Sequence, residues 1–549
     1  MERNDQYGPG VAPRAAGRGR GHWRALAVLG TAQFLMVLDT AVMNVSVSQL
    51  VHDFDTQVTT IQAVITLYAL VMAAFMITGG TIGDKIGRRR AFGVGLVVYG
   101  VGTTLTAAAP TVGVLALGWS IIEGLGAAMV LPALAALVAG TYQGRDRAVA
   151  YGVVGGLAGA GIAVGPLLGG WVTTYLTWRL VFAAEAVVVV VLLLLLRWIK
   201  APAPSVRPVR LDGVGSALSA AGLALVVLGV LQSGTWGWLK DRNSPFTIFG
   251  FSITLFVIGA GCVLLYLFRL WERRRETRGE DPLIHFALFR IPALKAGLIT
   301  LLNQNLILLG LFFVIPLYLQ VVQGFDAFET GLRLLPVSIT MLVAALSGPF
   351  LGRFASPRTV VRIGLGVMLA SIVWLLSTIQ PDIDDLSFAF AMALLGLGMG
   401  LLASQLGNVV QSSVEDADRS QAGGLQNTAQ QLGSSLGTAL IGSILIGALA
   451  AAFTTKVENN PEVSQAVKTQ TGTALEAGIQ FVPTDQVAAG LSSAGVPPAE
   501  AGHLVSAYAE AQLDGLKVAI LAAGGLVLVG YAFTRHLPAD RLGPPAPTG

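Results

Sequence analysis

Asp39, Glu123 and Glu185 each sit near the middle of an apolar run long enough to cross a membrane. A charged side chain at the centre of a bilayer costs roughly 2.5–3.5 kcal/mol on an insertion scale, so an acid kept at that depth faces a cavity and has a task. The task open to a carboxyl group there is to take up and release a proton. The bland alternative is an acid satisfied by hydroxyls and amides that never titrates. Asn44 follows Asp39 by about one and a half helical turns, and Glu185 lies about two turns inside the Trp178-Arg179 pair that opens its run. Arg179 itself sits near a membrane edge and could pair with an acid there.

The elements that must hold these acids are membrane spans. The chain has 549 residues, 54% hydrophobic and 12% charged, with a mean hydropathy of +0.70. Soluble domains average about 25% charged residues, so most of this chain lives in lipid. Its 67 glycines suit close helix packing. The lone cysteine, Cys262, excludes an intrachain disulfide. The net charge of +4 comes from basic residues clustered in short loops, which reads as membrane orientation and not nucleic-acid binding. No Gly-x-x-x-x-Gly-Lys-Ser/Thr run is present, so direct use of ATP is not expected. No His/Cys cluster has metal-ligand spacing, and no cofactor is expected. Residues 1–22, rich in Gly, Arg and Pro, read as a disordered cytoplasmic tail, and the first apolar run is too long for a signal peptide.

Apolar windows of about twenty residues place spans at 24–50, 58–83, 90–109, 112–139, 148–172, 177–198, 212–233, 246–270, 294–322, 329–352, 358–379, 386–411, 420–452 and 515–534. Lys85 and Arg88–Arg90 follow the second span, Arg145 and Arg147 the fourth, Lys200, Arg207 and Arg210 the sixth, Arg273–Arg275 the eighth and Arg358 the tenth. The loops at 51–57, 110–111 and 173–176 contain no Lys or Arg. The positive-inside rule then puts both termini in the cytoplasm. The polar segment 453–514 falls on the other side as an extracytoplasmic loop, with Ala499–Gln512 able to form an amphipathic helix.

Five segments carry a family resemblance. Gly80-Thr-Ile-Gly83-Asp84-Lys85-Ile-Gly87-Arg88-Arg89-Arg90 resembles the signature loop of the major facilitator superfamily, with a basic loop that merely fixes topology as the alternative. Gly161-Ile-Ala-Val-Gly165-Pro166-Leu-Leu-Gly169-Gly170 is similar to its antiporter motif, found in exporters; generic glycine packing is the alternative. Leu38-Asp39-Thr40-Ala-Val-Met-Asn44 resembles the motif of fourteen-span drug:proton antiporters. Phe312-Phe313-Val-Ile-Pro-Leu-Tyr318-Leu-Gln320 and Gly331-Leu-Arg333-Leu-Leu-Pro336 are similar to the ninth-span signature of those exporters and its continuation. Three positions depart from the family. Ser120 and Glu123 stand where an Arg and a Gln are usual, so the Arg's role cannot be carried over; Glu123 either replaces it as a titrating group or marks weakened coupling. Glu185 stands where an Asn is common. Gly352-Arg353-Phe-Ala-Ser-Pro357-Arg358, a degraded copy of the signature loop, hints at an internal repeat.

The resemblance implies an all-α integral membrane protein with two six-helix bundles, 23–199 and 294–534, joined by a linker and inserted two-helix hairpin at 200–293, with a second cytoplasmic tail at 535–549. It implies a proton-coupled exporter of small lipophilic, often cationic compounds in the bacterial inner membrane, a monomer driven by the proton gradient. The proton carriers are Asp39, Glu123 and Glu185. Gly83, Asp84, Gly87 and Arg88 form a conformational latch. Depth and residue type suggest a cargo cavity lined by Asn44, Tyr68, Trp119, Ser120, Asn305, Phe312, Phe313, Gln320, Gln405, Asn408 and Gln430. Interhelical hydrogen bonding is the alternative for each amide. Export of a lipid or metabolite, or a non-transporting receptor on the same fold, are the rival readings.

Overall fold

The computed structural model describes residues 21–142, 144–199, 212–239, 244–280, 282–351, 354–415, 419–469 and 479–539. The predicted tail at 1–22 therefore lies almost wholly outside the described residues, as do 540–549 and the Gly352-Arg353 pair of the degraded loop.

Among the described residues, fourteen long helices make up the fold. In the first half these are α1 Gly21–Val45, α2 Val58–Ile86, α3 Arg88–Ala107, α4 Val112–Thr141, α5 Gly144–Tyr175 and α6 Arg179–Leu195. A hairpin follows, α7 Gly213–Trp236 and α8 Thr254–Thr277, with a two-residue ribbon between them pairing Thr247 with Ser252. The second half holds α9 Pro292–Leu317, α10 Ala327–Leu346, α11 Pro357–Thr378, α12 Asp385–Ser412, α13 Arg419–Glu458 and α14 Pro498–Phe533. All but α3 are long and apolar enough to cross a membrane. Helix α3 falls short because Arg88, Arg89 and Arg90 open it and glycines and threonines dilute it.

Local sequence explains several boundaries. Gly87 ends α2 at φ +94°, a conformation that favours glycine. Asp326 and Glu329 close a reciprocal capping box on α10. Ser356 caps α11 ahead of Pro357, whose missing N–H costs nothing in a first turn. Two helices outrun their predicted ends: α13 continues to Glu458 and α14 begins at Pro498, so the segment between them is 459–497 and carries a short helix, Thr484–Ser493. The polarity that suggested a loop belongs to helix surface, with Lys456 bridging to Glu510 and Asp514 across the two helices at 2.8 and 3.2 Å.

The two halves repeat one packing pattern. α1 packs on α5 as α9 packs on α13, α2 on α4 as α10 on α12, and α3 on α4 as α11 on α12. Between the halves, α2 lies against α13 and α5 against α10, which is what a pseudo-twofold relation requires. α7 straddles the first seam, packing on both α2 and α13 through Val227, Leu70 and Ala439.

Among the described residues, the hydrogen bonds across the seams fall near the helix midpoints or toward the ends away from the basic loops. Gln62 Nε2 donates to the Thr438 carbonyl at 2.8 Å and Ser435 Oγ to the Thr66 carbonyl at 3.0 Å. Ser338 Oγ donates to the Ile162 carbonyl at 3.2 Å, the Phe328 N–H to Thr174 Oγ1 at 3.1 Å, and Gln320 Nε2 to the Val45 carbonyl at 2.8 Å. The halves are thus zipped at one end, and on the basic-loop side Gly155 and Gly156 of α5 face open space.

Candidate functional site

Asp39 from α1, Glu123 from α4 and Glu185 from α6 meet inside the first half. One oxygen of each lies within 4.8 Å of the others, and the residues are 0%, 0% and 2% exposed. Sequence could place each acid at depth but not bring them together, because they stand 84 and 62 residues apart. Trp119 Nε1 donates to Asp39 Oδ1 at 2.8 Å, and the Trp119 ring stacks on Tyr68 of α2 at 4.4 Å and 6°. Tyr99 and Thr103 of α3 donate to Glu185 Oε2 at 3.3 and 3.4 Å. That leaves Asp39 Oδ2, both oxygens of Glu123 and Glu185 Oε1 accepting no hydrogen bond.

The backbone of α4 sets this geometry. Ala116–Glu123 is π-helical, and it buries Trp119, Ser120 and Glu123 together. Ser120 does not line a cavity; its Oγ donates to the Val64 carbonyl at 2.7 Å and ties α4 to α2. Helix α3 comes within backbone contact of the π segment because Gly102 stands there: a Cβ at that position would lie 2.5 Å from the Glu123 nitrogen. Tyr99 and Thr103 escaped the sequence reading. Their signal, two hydroxyls four residues apart in a Gly/Val-rich span, is a common one.

The antiporter-like motif is a packing face. A Cβ on Gly161 would lie 3.1 Å from the Phe34 carbonyl, one on Gly165 would strike the Ala41 side chain, and one on Gly169 would lie 2.8 Å from Val42, all on α1. Gly170 turns the other way, onto the Ala327 carbonyl of α10, and the Pro166 carbonyl meets Gly331. In the signature loop, Gly83 leaves room for Ala91 and Arg88 at 3.5 Å, while the side chain of Asp84 lies outside the described residues.

The other expected cavity residues do not converge. Trp119 and Tyr68 serve the acid pocket. Asn44 donates to the Thr40 carbonyl at 2.7 Å and Asn305 to Leu301 at 2.9 Å, each within its own helix. Gln320 closes the seam, Gln405 Nε2 donates to Ser404 Oγ at 3.2 Å, and Phe312 and Phe313 are buried in the core. Asn408 is exposed and Gln430 half-buried. Neighbouring amides knit the second half: Asn303 donates to the Leu526 carbonyl at 3.1 Å and Gln304 to Met399 at 3.0 Å. Arg179 does pair with an acid at the edge, Asp53, at 3.3 Å, and Trp178 Nε1 donates to the same carboxylate at 2.9 Å.

Residues 29–438 match the model of the Major Facilitator Superfamily. The chain belongs to that superfamily. Curated relatives include a tetracenomycin C resistance and export protein of Streptomyces glaucescens, 27% identical across 97% of this chain and 96% of the relative. A puromycin resistance protein of Streptomyces alboniger is 31% identical over 78% of this chain and 83% of its own. The multidrug efflux pump LfrA of Mycolicibacterium smegmatis is 26% identical over 93% and 96%. Among solved structures, an inward-facing, unoccupied bacterial homologue of the lysosomal transporter Spinster superposes with a TM-score of 0.62 at 15% identity, covering 96% of this chain and all of that one. A D-xylose–proton symporter gives 0.53 at 13% identity, covering 87% and 98%. These place the protein among multi-pass membrane transporters, with drug and antibiotic exporters as relatives, and not among enzymes.

Proposed function

We propose that the protein is a proton-coupled exporter, moving a small lipophilic and often cationic compound outward as protons move in. The observation that carries this reading is the pocket of Asp39, Glu123 and Glu185, with four carboxylate oxygens that accept no hydrogen bond. Leaving buried polar atoms unpaired is costly unless something occupies them intermittently. Two unit charges 4.8 Å apart repel by about 3.5 kcal/mol at an effective dielectric of 20, so three simultaneous anions are disfavoured and shared protons are the natural counter-ions. The export direction is supported by the named relatives, which include a tetracenomycin C exporter and a multidrug efflux pump.

With the basic loops in the cytoplasm, the zipped end is extracytoplasmic and the state described faces inward. Both termini then lie in the cytoplasm of a bacterial cell, and the membrane is the inner one. In this state the acids are enclosed, so cargo does not touch them. Coupling runs through α1 and α4, whose side chains Asp39 and Trp119 are hydrogen-bonded to each other. Each proton crossing 100 mV supplies about 2.3 kcal/mol, so neither ATP nor a cofactor is needed. The protein works as a monomer.

Reconstitution into proteoliposomes with an imposed pH gradient and a cationic dye tests the reading. The intact chain should accumulate dye only while the gradient lasts, and Asp39→Asn and Glu123→Gln should lose that accumulation. Gradient-independent dye movement by the intact chain would refute proton coupling. Full gradient-driven flux in Glu123→Gln would remove Glu123 from the mechanism.

A further inference from the structure

We propose that a basic cleft between α8 and the connection into α9 binds the phosphate headgroup of an anionic phospholipid. The cleft encloses about 340 Å³ and is lined by Arg269, Arg273, Phe286, Phe289, Arg290 and Lys295. Its four cations come from three elements. Arg269 and Arg273 are one turn apart on α8, Arg290 ends the short helix Phe286–Arg290, and Lys295 lies in the first turn of α9. Orientation of a helix by positive charge requires only that cations be present at the correct end. It does not require four of them, spread over 27 residues of sequence, to surround one hollow.

Among the described residues, nothing neutralises them. Among the described residues, none of the four side chains makes an ion pair or hydrogen bond. Acids are at hand, but they turn elsewhere. Asp212 and Glu280 hold Arg275 at 3.4 and 3.2 Å, Glu272 accepts the Leu283 N–H at 2.7 Å, and Glu276 lies 3.6 Å from His285. The described acids thus satisfy the neighbouring Arg275, and the charged residues that line the cleft are all cations.

The lining also selects the kind of anion. Phe286 packs on Phe289 at 5.8 Å and on Phe268 of α8 at 6.1 Å, giving the cleft an apolar floor. Toward the middle of α8 the surface continues as exposed Tyr266, Leu267 and Val263. An occupant with a phosphate at one end and acyl chains at the other meets both surfaces, whereas free phosphate meets only the first. Arginine pairs bind phosphate oxygens with directed hydrogen bonds, and basic pockets between membrane helices are a recurrent lipid-headgroup site. The bound lipid would brace the connection between the hairpin and the second half at the membrane surface.

Native mass spectrometry of the full chain tests this, with phosphatidylglycerol, phosphatidylcholine and inorganic phosphate as separate probes. Phosphatidylglycerol should be retained preferentially. Arg273→Gln with Arg290→Gln should weaken that retention by about tenfold or more, since each basic residue near a membrane surface contributes on the order of 1 kcal/mol. Arg274→Gln with Arg278→Gln removes two exposed charges outside the cleft and should leave retention nearly unchanged. If the first pair does not fold, Lys295→Gln alone reads out the same loss on a smaller scale. Equal retention of phosphatidylcholine, equal loss in both double variants, or displacement of phosphatidylglycerol by an equal concentration of inorganic phosphate would each overturn the proposal.

Discussion

Trp119 shows how one side chain does two jobs at the acid pocket. Its indole N–H donates to Asp39 at 2.8 Å, and its ring face stacks on Tyr68 at 4.4 Å. Trp119→Phe keeps much of the stacking and removes the donor. Hydrogen bonds to charged groups contribute about 1.5–3 kcal/mol, so the variant should lose stability of that order in thermal unfolding when Asp39 is charged. Combined with Asp39→Ala, which removes the acceptor, the two losses should be non-additive, since both variants delete the same bond; additive losses in a double-mutant cycle would show that the bond contributes nothing. Sequence reading placed Trp119 on the cargo side by depth and aromatic character. It could not see the indole turned toward Asp39, because the two residues are 80 apart in the chain.

At the scale of helices, glycine positions divide into those that build a half and those that join halves. Gly165 accommodates the Ala41 side chain of α1 within the first half, whereas Gly331 of α10 accommodates the Pro166 carbonyl of α5 across the seam. A bulky residue should therefore act differently at the two sites. Gly165→Leu overpacks a helix pair that never separates and should destabilise folding by about 1–3 kcal/mol. Gly331→Leu wedges a contact between the two halves, against the Pro166 backbone. It should shift the population toward the outward-open state, seen as longer distances between spin labels placed across that end. Unchanged distances with unaltered transport would show that this contact does not gate. The glycine spacing of the 161–170 motif announced close packing, and Gly161, Gly165 and Gly169 do pack on α1, but which neighbour Gly170 meets is a property of the assembled pair of halves.

For the whole molecule, the end of the first half away from the basic loops is tied by Asp53, on the short helix Val47–Asp53. Partial burial alone would raise its pKa, but hydrogen bonds from Trp178, Gln49 and His52 and the charge of Arg179 outweigh that and lower it. A carboxyl whose folded pKa lies below its unfolded value adds stability above the unfolded value, about 3.9 for Asp, and loses it as pH falls through the folded one. Asp53→Asn should therefore lower the melting temperature at neutral pH, and the difference from the intact chain should vanish in strong acid. A difference independent of pH would mean that shape, not charge, holds this corner.

The sequence by itself determined the membrane class and the approximate spans, because apolar run length acts residue by residue. It also carried the family, through motifs whose glycines, prolines and charges are local requirements. Only the tertiary structure decided that Asp39, Glu123 and Glu185 share one pocket, that Tyr99 and Thr103 serve it, and that Asn303 and Gln304 bind the backbone of neighbouring helices. The physical reason is rotation. A helix in lipid can present any face to its neighbours at little cost in backbone hydrogen bonding, so facing is set by packing between helices far apart in sequence, and no local pattern encodes it.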